Sequence, residues 1–329
     1  MKVLLTGGAG YVGSACLRWL LRHGHDAVAI DNMVAGNRGA VPEDRLIVGD
    51  VRDTEKMEAV MGTHGTEAVM HFAALASVPD SIKSPMDYWD INVGGTRSVL
   101  NAMLSVGVKR LVFSSTAATY SFNEPMPLVE ESYQRPEVPY GTTKLASEQM
   151  IRDYASAYGI AGSILRYFNA SGADPDGKFG EDHRPETHLL PLILQTAEGR
   201  RDEFVVYGTR WPTPDGSCIR DFVHTDDLGQ AHELAVRSVR EGEISTYNVG
   251  TGMGTSVLEV LKACEAVVGR SIQYRVAEPR PGDPPVLVAS PKRLMDLGWI
   301  PKFPNIREIV ETAWRWHSSH PEGYSNAPD

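Results

Sequence analysis

Residues 4–14, LLTGGAGYVGS, leave few options for the fold of the chain that follows. The apolar run Val3, Leu4, Leu5 stops at Thr6 and Gly7; from Tyr11 apolar residues recur at helical spacing, with Val12, Cys16, Leu17 and Leu20 on one face. The pattern is strand, glycine turn, helix. Gly7, Gly10 and Gly13 give GxxGxxG, one residue wider at its first step than the usual dinucleotide fingerprint. Glycine suits a backbone that must turn tightly, approach a pyrophosphate closely and let the helix pack on the strand, with the helix N-terminal amides facing phosphate. A second strand over 27–30 ends at Asp31, 18 residues beyond Gly13. A carboxylate there can accept both hydroxyls of an adenosine ribose and would repel a 2′-phosphate, which favours NAD over NADP.

The next 140 residues keep this rhythm. After a loop rich in Gly, Asn and Pro over 34–44, a third strand at 46–48 ends at Gly49, Asp50 and Val51, where Asp50 and Val51 can meet an adenine. A helix over 54–61, a strand at 68–71 followed by the small residues of FAALAS, a long helix over 86–106 and a strand at 110–114 complete the series. Alternating strands and helices of these lengths predict an α/β fold with a doubly wound parallel sheet of the Rossmann type. A further long helix over 140–158 and a strand over 161–166 lead into RYFNASG. Beyond it the rhythm breaks. Residues 172–186 are polar and Pro-rich, and a helix at 189–198 and a strand at 204–207 precede the loop GTRWPTPDGSC. Helices at 228–239, 257–268 and 306–317 are amphipathic and structural in character. The expected organisation is a cofactor domain over 1–170, with some later segments returning to it, and a smaller substrate lobe made mainly of 171–329.

Composition narrows the function. With a formal net charge of -10 and its Lys and Arg scattered singly, the chain has no basic stripe for nucleic acid or an anionic membrane. No apolar run approaches the roughly 18 residues of a membrane span, and the glycine turn leaves no room for a secretory segment, so a cytoplasmic protein is expected. Cys16, Cys218 and Cys264 are far apart and lack Cys or His at ligand spacing; they read as small packing residues, and no metal site is expected.

The sharpest chemical signal is Tyr140 with Lys144, in YGTTK at the start of a helix. Spaced by four, the two side chains share a face, and a neighbouring ammonium favours the phenolate, which predicts a tyrosine pKa drawn towards neutrality and a usable base. The pair follows a hydroxyl cluster, Ser114, Ser115 and Thr116, at the end of the fifth strand, where a substrate would sit beside the nicotinamide.

TGGAGYVGS, HFAA, SSTAATY, YGTTK, RYFN, PTPDGSCIRDFVH, YNVGTG and the late segment WHSSHPEGY together resemble the UDP-galactose 4-epimerases of the extended short-chain dehydrogenase/reductase family, over essentially the full length. The resemblance implies an isomerase that uses NAD and a UDP-sugar. Tyr140 would take the proton of the sugar 4-hydroxyl, Lys144 would hold the nicotinamide ribose, and Thr116, where most relatives keep serine, would hydrogen-bond that hydroxyl. It extends the cofactor set, Gly7, Gly10, Gly13, Asp31, Asp50 and Val51, to Tyr11, Val12, Asn32, Phe72, Ala73, Asn92, Ser114 and Phe168. For the substrate it points to Asn169, His188 and Leu189 near the nucleotide and phosphates, with Tyr207 beside them. Arg220 and Arg280 would lie on the pyrophosphate, Asp283 on the uridine ribose and Leu287 at the sugar 2-position. It also implies a homodimer paired through the helices at 86–106 and 140–158.

The chain departs from the family pattern at three places: VPDS over 78–81, expected to stiffen a loop near the pyrophosphate, Ser121 for a glycine, and His188 for an asparagine. Leu287, where some relatives carry tyrosine, leaves room for an N-acetyl group. Dehydratases of this scaffold need an acid pair after the active-site threonine and decarboxylases a glutamate in that region; Ala117 and Ala118 argue against both. A 4-epimerase of a UDP-linked N-acetylhexosamine, uronate or pentose stays open, as does a non-catalytic NAD-sensing protein, although such proteins commonly lose the Tyr/Lys pair retained here.

Overall fold

A computed structural model describes residues 1–280 and 282–324; Pro281 and residues 325–329, the end of the expected substrate lobe, lie outside the description. In chain order the strands are β1 (Lys2–Thr6), β2 (Asp26–Asp31), β3 (Leu46–Val48), β4 (Ala68–His71), β5 (Arg110–Thr116), β6 (Ala161–Tyr167), β7 (Asn169–Ser171), β8 (Phe204–Tyr207), β9 (Ile219–His224), β10 (Ile244–Val249), β11 (Gly254–Ser256), β12 (Tyr274–Ala277) and β13 (Val286–Leu287). The helices are α1 (Tyr11–Arg22), α2 (Thr54–His64), α3 (Val78–Lys83), α4 (Pro85–Tyr88), α5 (Gly95–Val106), α6 (Pro139–Tyr158), α7 (Leu189–Ala197), α8 (Thr225–Ser238), α9 (Val257–Val268), α10 (Lys292–Asp296) and α11 (Ile306–Ser319).

Seven strands form one parallel sheet in the order β10-β6-β5-β4-β1-β2-β3. The chain winds outward from β1 through β2 to β3, then crosses back to β4 and winds the other way, so the order reverses between β1 and β4, where a doubly wound sheet opens its ligand crevice. Along β1 the side chains alternate between two cores. Val3 and Leu5 pack with Leu17, Leu20, Leu228 and Ala235 of α1 and α8, while Leu4 packs with Met57, Val99, Leu100 and Ile151 of α2, α5 and α6. The sheet is therefore buried on both faces, which explains why its strands read as continuous apolar runs. Strand β10 and helix α8 come from the second half of the chain and complete this layer.

The remaining strands build a smaller layer in which β9 pairs with β11 antiparallel and with β7 and β13 in parallel, beside the separate parallel pair β8 and β12. Helices α7, α9 and α11 cover it through a core of Ile193, Leu194, Phe204, Val260, Leu261 and Val310.

The structure modifies three expectations. The single helix predicted over 86–106 is interrupted: a π-helical stretch, Trp89–Gly94, joins α4 to α5. The segment 78–81, read as a stiffened loop, opens α3, because Ser77 caps the helix by accepting the Asp80 amide at 3.3 Å and Pro79 sits in the first turn, where its missing N–H costs nothing. The loop over 34–44 contains the short 3-10 turn Arg38–Ala40 and leads into a second, Glu43–Arg45. The three cysteines are free and buried, as expected of packing residues.

Candidate active site

The glycine turn lies at the strand-order reversal. Gly7 has φ +66°, and a Cβ there would stand 2.5 Å from the Ala73 amide at the end of β4. A Cβ on Gly13 would stand 2.3 Å from the Gly7 carbonyl oxygen, so α1 approaches the turn only because that residue has no side chain. Gly10 precedes α1 and offers no side-chain cap, and the first helical bond is from the Ser14 amide to the Gly10 carbonyl at 2.9 Å. The amides of Tyr11, Val12 and Gly13 are thus left for an anion at a helix N-terminus. Asp31, at the end of β2, takes the Ala9 amide at 3.0 Å through Oδ2 and the Met33 amide at 2.9 Å through Oδ1, which fixes its carboxylate against the turn. One strand further out, Asn32 reaches Asp50 at 3.4 Å, and Arg52 grips Asp50 with Nη2 at 2.7 Å and Nε at 3.0 Å. Those hydrogen bonds hold the Asp50 carboxyl at about 2. Val51 is buried and sits where a Cβ on Gly95 would touch it, and Phe72 packs 4.7 Å from the His232 ring. The first-turn amides, the carboxylate of Asp31 and the turn glycines together fit a dinucleotide.

Across the crevice, the first turns of α6 face the end of β5. Lys144 is buried, donates from Nζ to the Ser114 carbonyl oxygen at 2.9 Å and lies 4.8 Å over the Phe113 ring. The Ser114 hydroxyl is bonded to the Tyr167 hydroxyl, and the Tyr88 ring meets Tyr140 edge-on at 6.4 Å. The expectation that Lys144 draws the tyrosine towards neutrality does not hold in this geometry. Desolvation pushes Tyr140 up to about 12, and the influence pulling it down is a hydrogen bond with Thr116, not the ammonium. The same desolvation pulls Lys144 down to about 7, against the charge of Glu148 one turn further along α6.

Asn92 lies in the π-helical stretch, a geometry often met at functional sites. Its amide accepts from the Leu75 amide at 2.8 Å and donates to the Leu75 carbonyl at 3.1 Å and to Thr143 at 3.0 Å. It ties the segment after β4 to α6 and positions the crevice wall.

A model of the NAD dependent epimerase/dehydratase family matches residues 3–250. The chain belongs to this family. It is 45% identical over 327 residues to the UDP-glucose 4-epimerase of Halalkalibacterium halodurans, covering 99% of this chain and 98% of that protein. The crystal structure of the UDP-glucose 4-epimerase of Brucella ovis in complex with NAD superposes with a TM-score of 0.91 at 42% identity, over 95% of this chain and 97% of that one. That of Bifidobacterium longum in complex with NAD+ and UDP superposes with a TM-score of 0.93 at 34% identity, over 98% and 100%.

Within the family scaffold, the smaller layer gathers most of the residues expected at the substrate. Arg280 lies 4.6 Å over the Tyr207 ring and donates from Nε to Asp283 at 3.2 Å; Arg220 Nη2 is 3.9 Å from the same carboxylate and its Nη1 donates to the Pro284 carbonyl at 2.9 Å. Leu287 is the register partner of Arg220, and both Leu287 and Phe168 pack on the cluster of Ala117, Tyr120 and Leu128 at the end of β5. Asn169 pairs with Phe222 between β7 and β9, and Leu189 begins α7 on the lobe's own core. His188, half exposed, precedes Leu189 at the start of α7. Its imidazole faces two carboxylates, Glu181 at 2.9 Å and Glu186 at 3.1 Å, and they raise it to about 10 against the cost of desolvation.

Sequence reading missed several supporting residues. Gly8 is as constrained as its neighbours, since a Cβ there would stand 2.5 Å from that of Ala29. Glu148 lies four residues after Lys144, and Arg166 opens the RYFN segment; the spacing was visible, but nothing in it announces that the two meet in the core. Tyr167 and Tyr88, which flank Tyr140, had no sequence signal.

Proposed function

We propose that the chain interconverts UDP-galactose and UDP-glucose at the sugar 4-position, and that Tyr140, Thr116 and Lys144 carry the proton transfer. NAD, when bound among the residues named below, would supply reversible hydride acceptance at the sugar C4. The observation that carries this reading is the buried Lys144, one helical turn after Tyr140 on α6, with its ammonium on the Ser114 carbonyl at 2.9 Å in the strand that ends at Thr116.

Tyr140 and Thr116 would both bond the sugar 4-hydroxyl, which would bring its proton within transfer distance of the tyrosine oxygen. With its pKa near 12, the tyrosine is neutral until the filled site adds positive charge or further hydrogen bonds, which confines base strength to the loaded enzyme. Lys144, anchored on the Ser114 carbonyl, stands where it can hold the nicotinamide ribose. Gly7, Gly10, Gly13, Tyr11 and Val12 would cradle the pyrophosphate of the cofactor; Asp31 and Asn32 would take its ribose, Asp50 and Val51 its adenine. Phe72, Ala73, Ser114 and Phe168 would line the nicotinamide side, with Asn92 acting through the wall it positions. Arg220 and Arg280 match a diphosphate with guanidinium forks, and Asp283, already between them, faces the uridine ribose. Asn169, Leu189, Tyr207 and Leu287 would complete the UDP-sugar pocket. Residues 1–170 with the returning β10 and α8 would serve the cofactor and most of the remainder the substrate.

A second copy of the chain is the proposed partner. Ile82, Met86 and Trp89, before and within the broken helix, and Tyr158 at the end of α6 are exposed, a set of large apolar side chains suited to a helical pairing face. Light scattering on the purified protein tests the dimer. No described helix is long and apolar enough to cross a membrane, and with a net charge of -10 the proposed location is the cytoplasm.

Incubation with UDP-galactose, with and without added NAD, followed by chromatography tests the activity. Formation of UDP-glucose is expected, without added cofactor if NAD is retained through purification. No UDP-glucose with NAD present would overturn the reading.

A further inference from the structure

The segment that leads into α7 carries Glu181, His183, Glu186 and His188, spaced E-x-H-x-x-E-x-H. One ligand atom from each lies within 4.8 Å of every other. Glu181 Oε1 is 2.9 Å from His188 Nδ1 and 3.3 Å from His183 Nδ1, Glu186 Oε1 is 3.1 Å from His188 Nδ1, and Glu186 Oε2 is 3.9 Å from His183 Nδ1. The edges of a tetrahedron with zinc-to-ligand distances of about 2.0–2.1 Å are about 3.3 Å, so the four groups already stand close to ligand spacing.

Two further observations separate this arrangement from an ordinary ion pair. Glu186 Oε2 and His183 Nδ1 are buried without a hydrogen-bond partner, and the Glu186 side chain is only 4% exposed. Buried polar atoms are seldom left so, and these two stand 3.9 Å apart within the cluster. The nearby guanidiniums are also committed elsewhere: Arg184 to Asp182 and the Glu322 carbonyl, Arg200 to Glu198.

We propose that Glu181, His183, Glu186 and His188 bind one divalent transition metal ion of the zinc type. Two carboxylates and two imidazoles suit such an ion, the proton His188 shares with the carboxylates being released as the metal binds, and four protein ligands close a tetrahedral shell, which makes the site structural. Its outer side is open at His188, which gives the ion a way in. The ion would clamp the start of α7 to the cofactor turn: the Glu186 carboxylate also accepts the Thr187 and His188 amides, and Tyr11 stands edge-on to His183 at 6.2 Å while its hydroxyl donates to the Gly172 carbonyl. His188 thereby serves the metal and not the sugar nucleotide. Ligand spacing around the three cysteines, the sole basis of the metal expectation in the sequence, does not reach these carboxylates and imidazoles.

The experiment uses the full, untagged chain, loaded with Zn2+, desalted and assayed by elemental analysis. About one zinc per chain is expected, falling below about one tenth in His183→Ala and in Glu186→Gln. Retention by wild type below one tenth, or unchanged retention in both variants, overturns the proposal. Should either variant fail to fold, Co2+ added to the wild-type protein decides. Intense visible bands of a tetrahedral ion are expected, and the weak spectrum of an octahedral or unbound ion overturns the site.

Discussion

Arg166 of β6 and Glu148 of α6 face one another in the core, Nη2 to Oε2 at 2.5 Å and Nε to Oε1 at 2.9 Å, both side chains 2% exposed. Ser115 donates to Glu148 at 2.5 Å, and Arg166 continues to the Tyr120 hydroxyl at 2.8 Å and through it to Asn248 at 2.7 Å. The network ties the strand that bears Thr116 to the helix that bears Tyr140 and Lys144. Removing one charge of such a pair strands the other in the interior. Glu148→Gln is therefore expected to lower the unfolding free energy by about 3–5 kcal/mol in urea denaturation. A loss under about 1 kcal/mol would show that the pair contributes little beyond its shape.

Thr116 supplies the hydrogen bond that holds the Tyr140 pKa down. Thr116→Val removes it, so the tyrosine pKa rises, and a reaction that needs the phenolate has its rising limb displaced to higher pH. Thr116→Ser retains the hydroxyl and should leave the limb in place. The kcat/KM profile for UDP-galactose against pH reads both. Tyr140→Phe should lower turnover by about 10²–10⁴ while the NAD content of the purified protein is unchanged.

Lys144 is brought down to about 7 from an ordinary 10.5 by desolvation. Between those values the unfolded chain holds a proton that the folded chain does not, so this group makes stability rise with pH across the window, and its buried charge costs most below pH 7. Lys144→Met should stabilise the protein without added NAD at pH 6.5, with an advantage that shrinks by pH 9. Equal advantages at both values in urea unfolding would show that the lysine stays charged in the folded state.

Much of this was legible in the sequence, for physical reasons. Gly7, Gly13 and Asp31 work through backbone geometry within a short stretch, and Tyr140 with Lys144 shares one helix face, so spacing alone carries them. The Glu148–Arg166 pair, the Tyr167 hydroxyl on Ser114 and the four convergent side chains around His188 depend on strand order or loop path, which local pattern does not encode. The expected tyrosine pKa failed for a related reason: spacing placed an ammonium nearby but said nothing of how strongly the surroundings desolvate both groups.

Leu287 occupies the register position opposite Arg220 and packs toward Tyr120 and Leu128. If it borders the sugar 2-position, a larger ring there should exclude an N-acetyl group. Leu287→Tyr is expected to lower kcat/KM for UDP-N-acetylgalactosamine at least about tenfold more than for UDP-galactose, a difference of about 1.4 kcal/mol. Equal losses on the two substrates would place Leu287 away from that position.

Asp221, next to Arg220 in the RDFVH segment, has a structural task there. Its carboxylate takes the Thr251 amide at 2.7 Å, the Thr251 hydroxyl at 2.8 Å, the Gly252 amide at 2.9 Å and the Ala289 amide at 3.1 Å. Gly250 makes room for it, since a Cβ at that position would stand 2.5 Å from Asp221 Oδ2. Three segments distant in sequence, β9, the turn after β10 and the stretch after β13, are held by one buried side chain. Asp221→Ala leaves those amides unpaired in the interior and should cost about 3 kcal/mol or more. Because Arg220 and Leu287 ride on the same strands, the variant should also raise KM for UDP-galactose more than it lowers kcat. A variant with wild-type stability and KM would mean that the strands hold their register without the carboxylate.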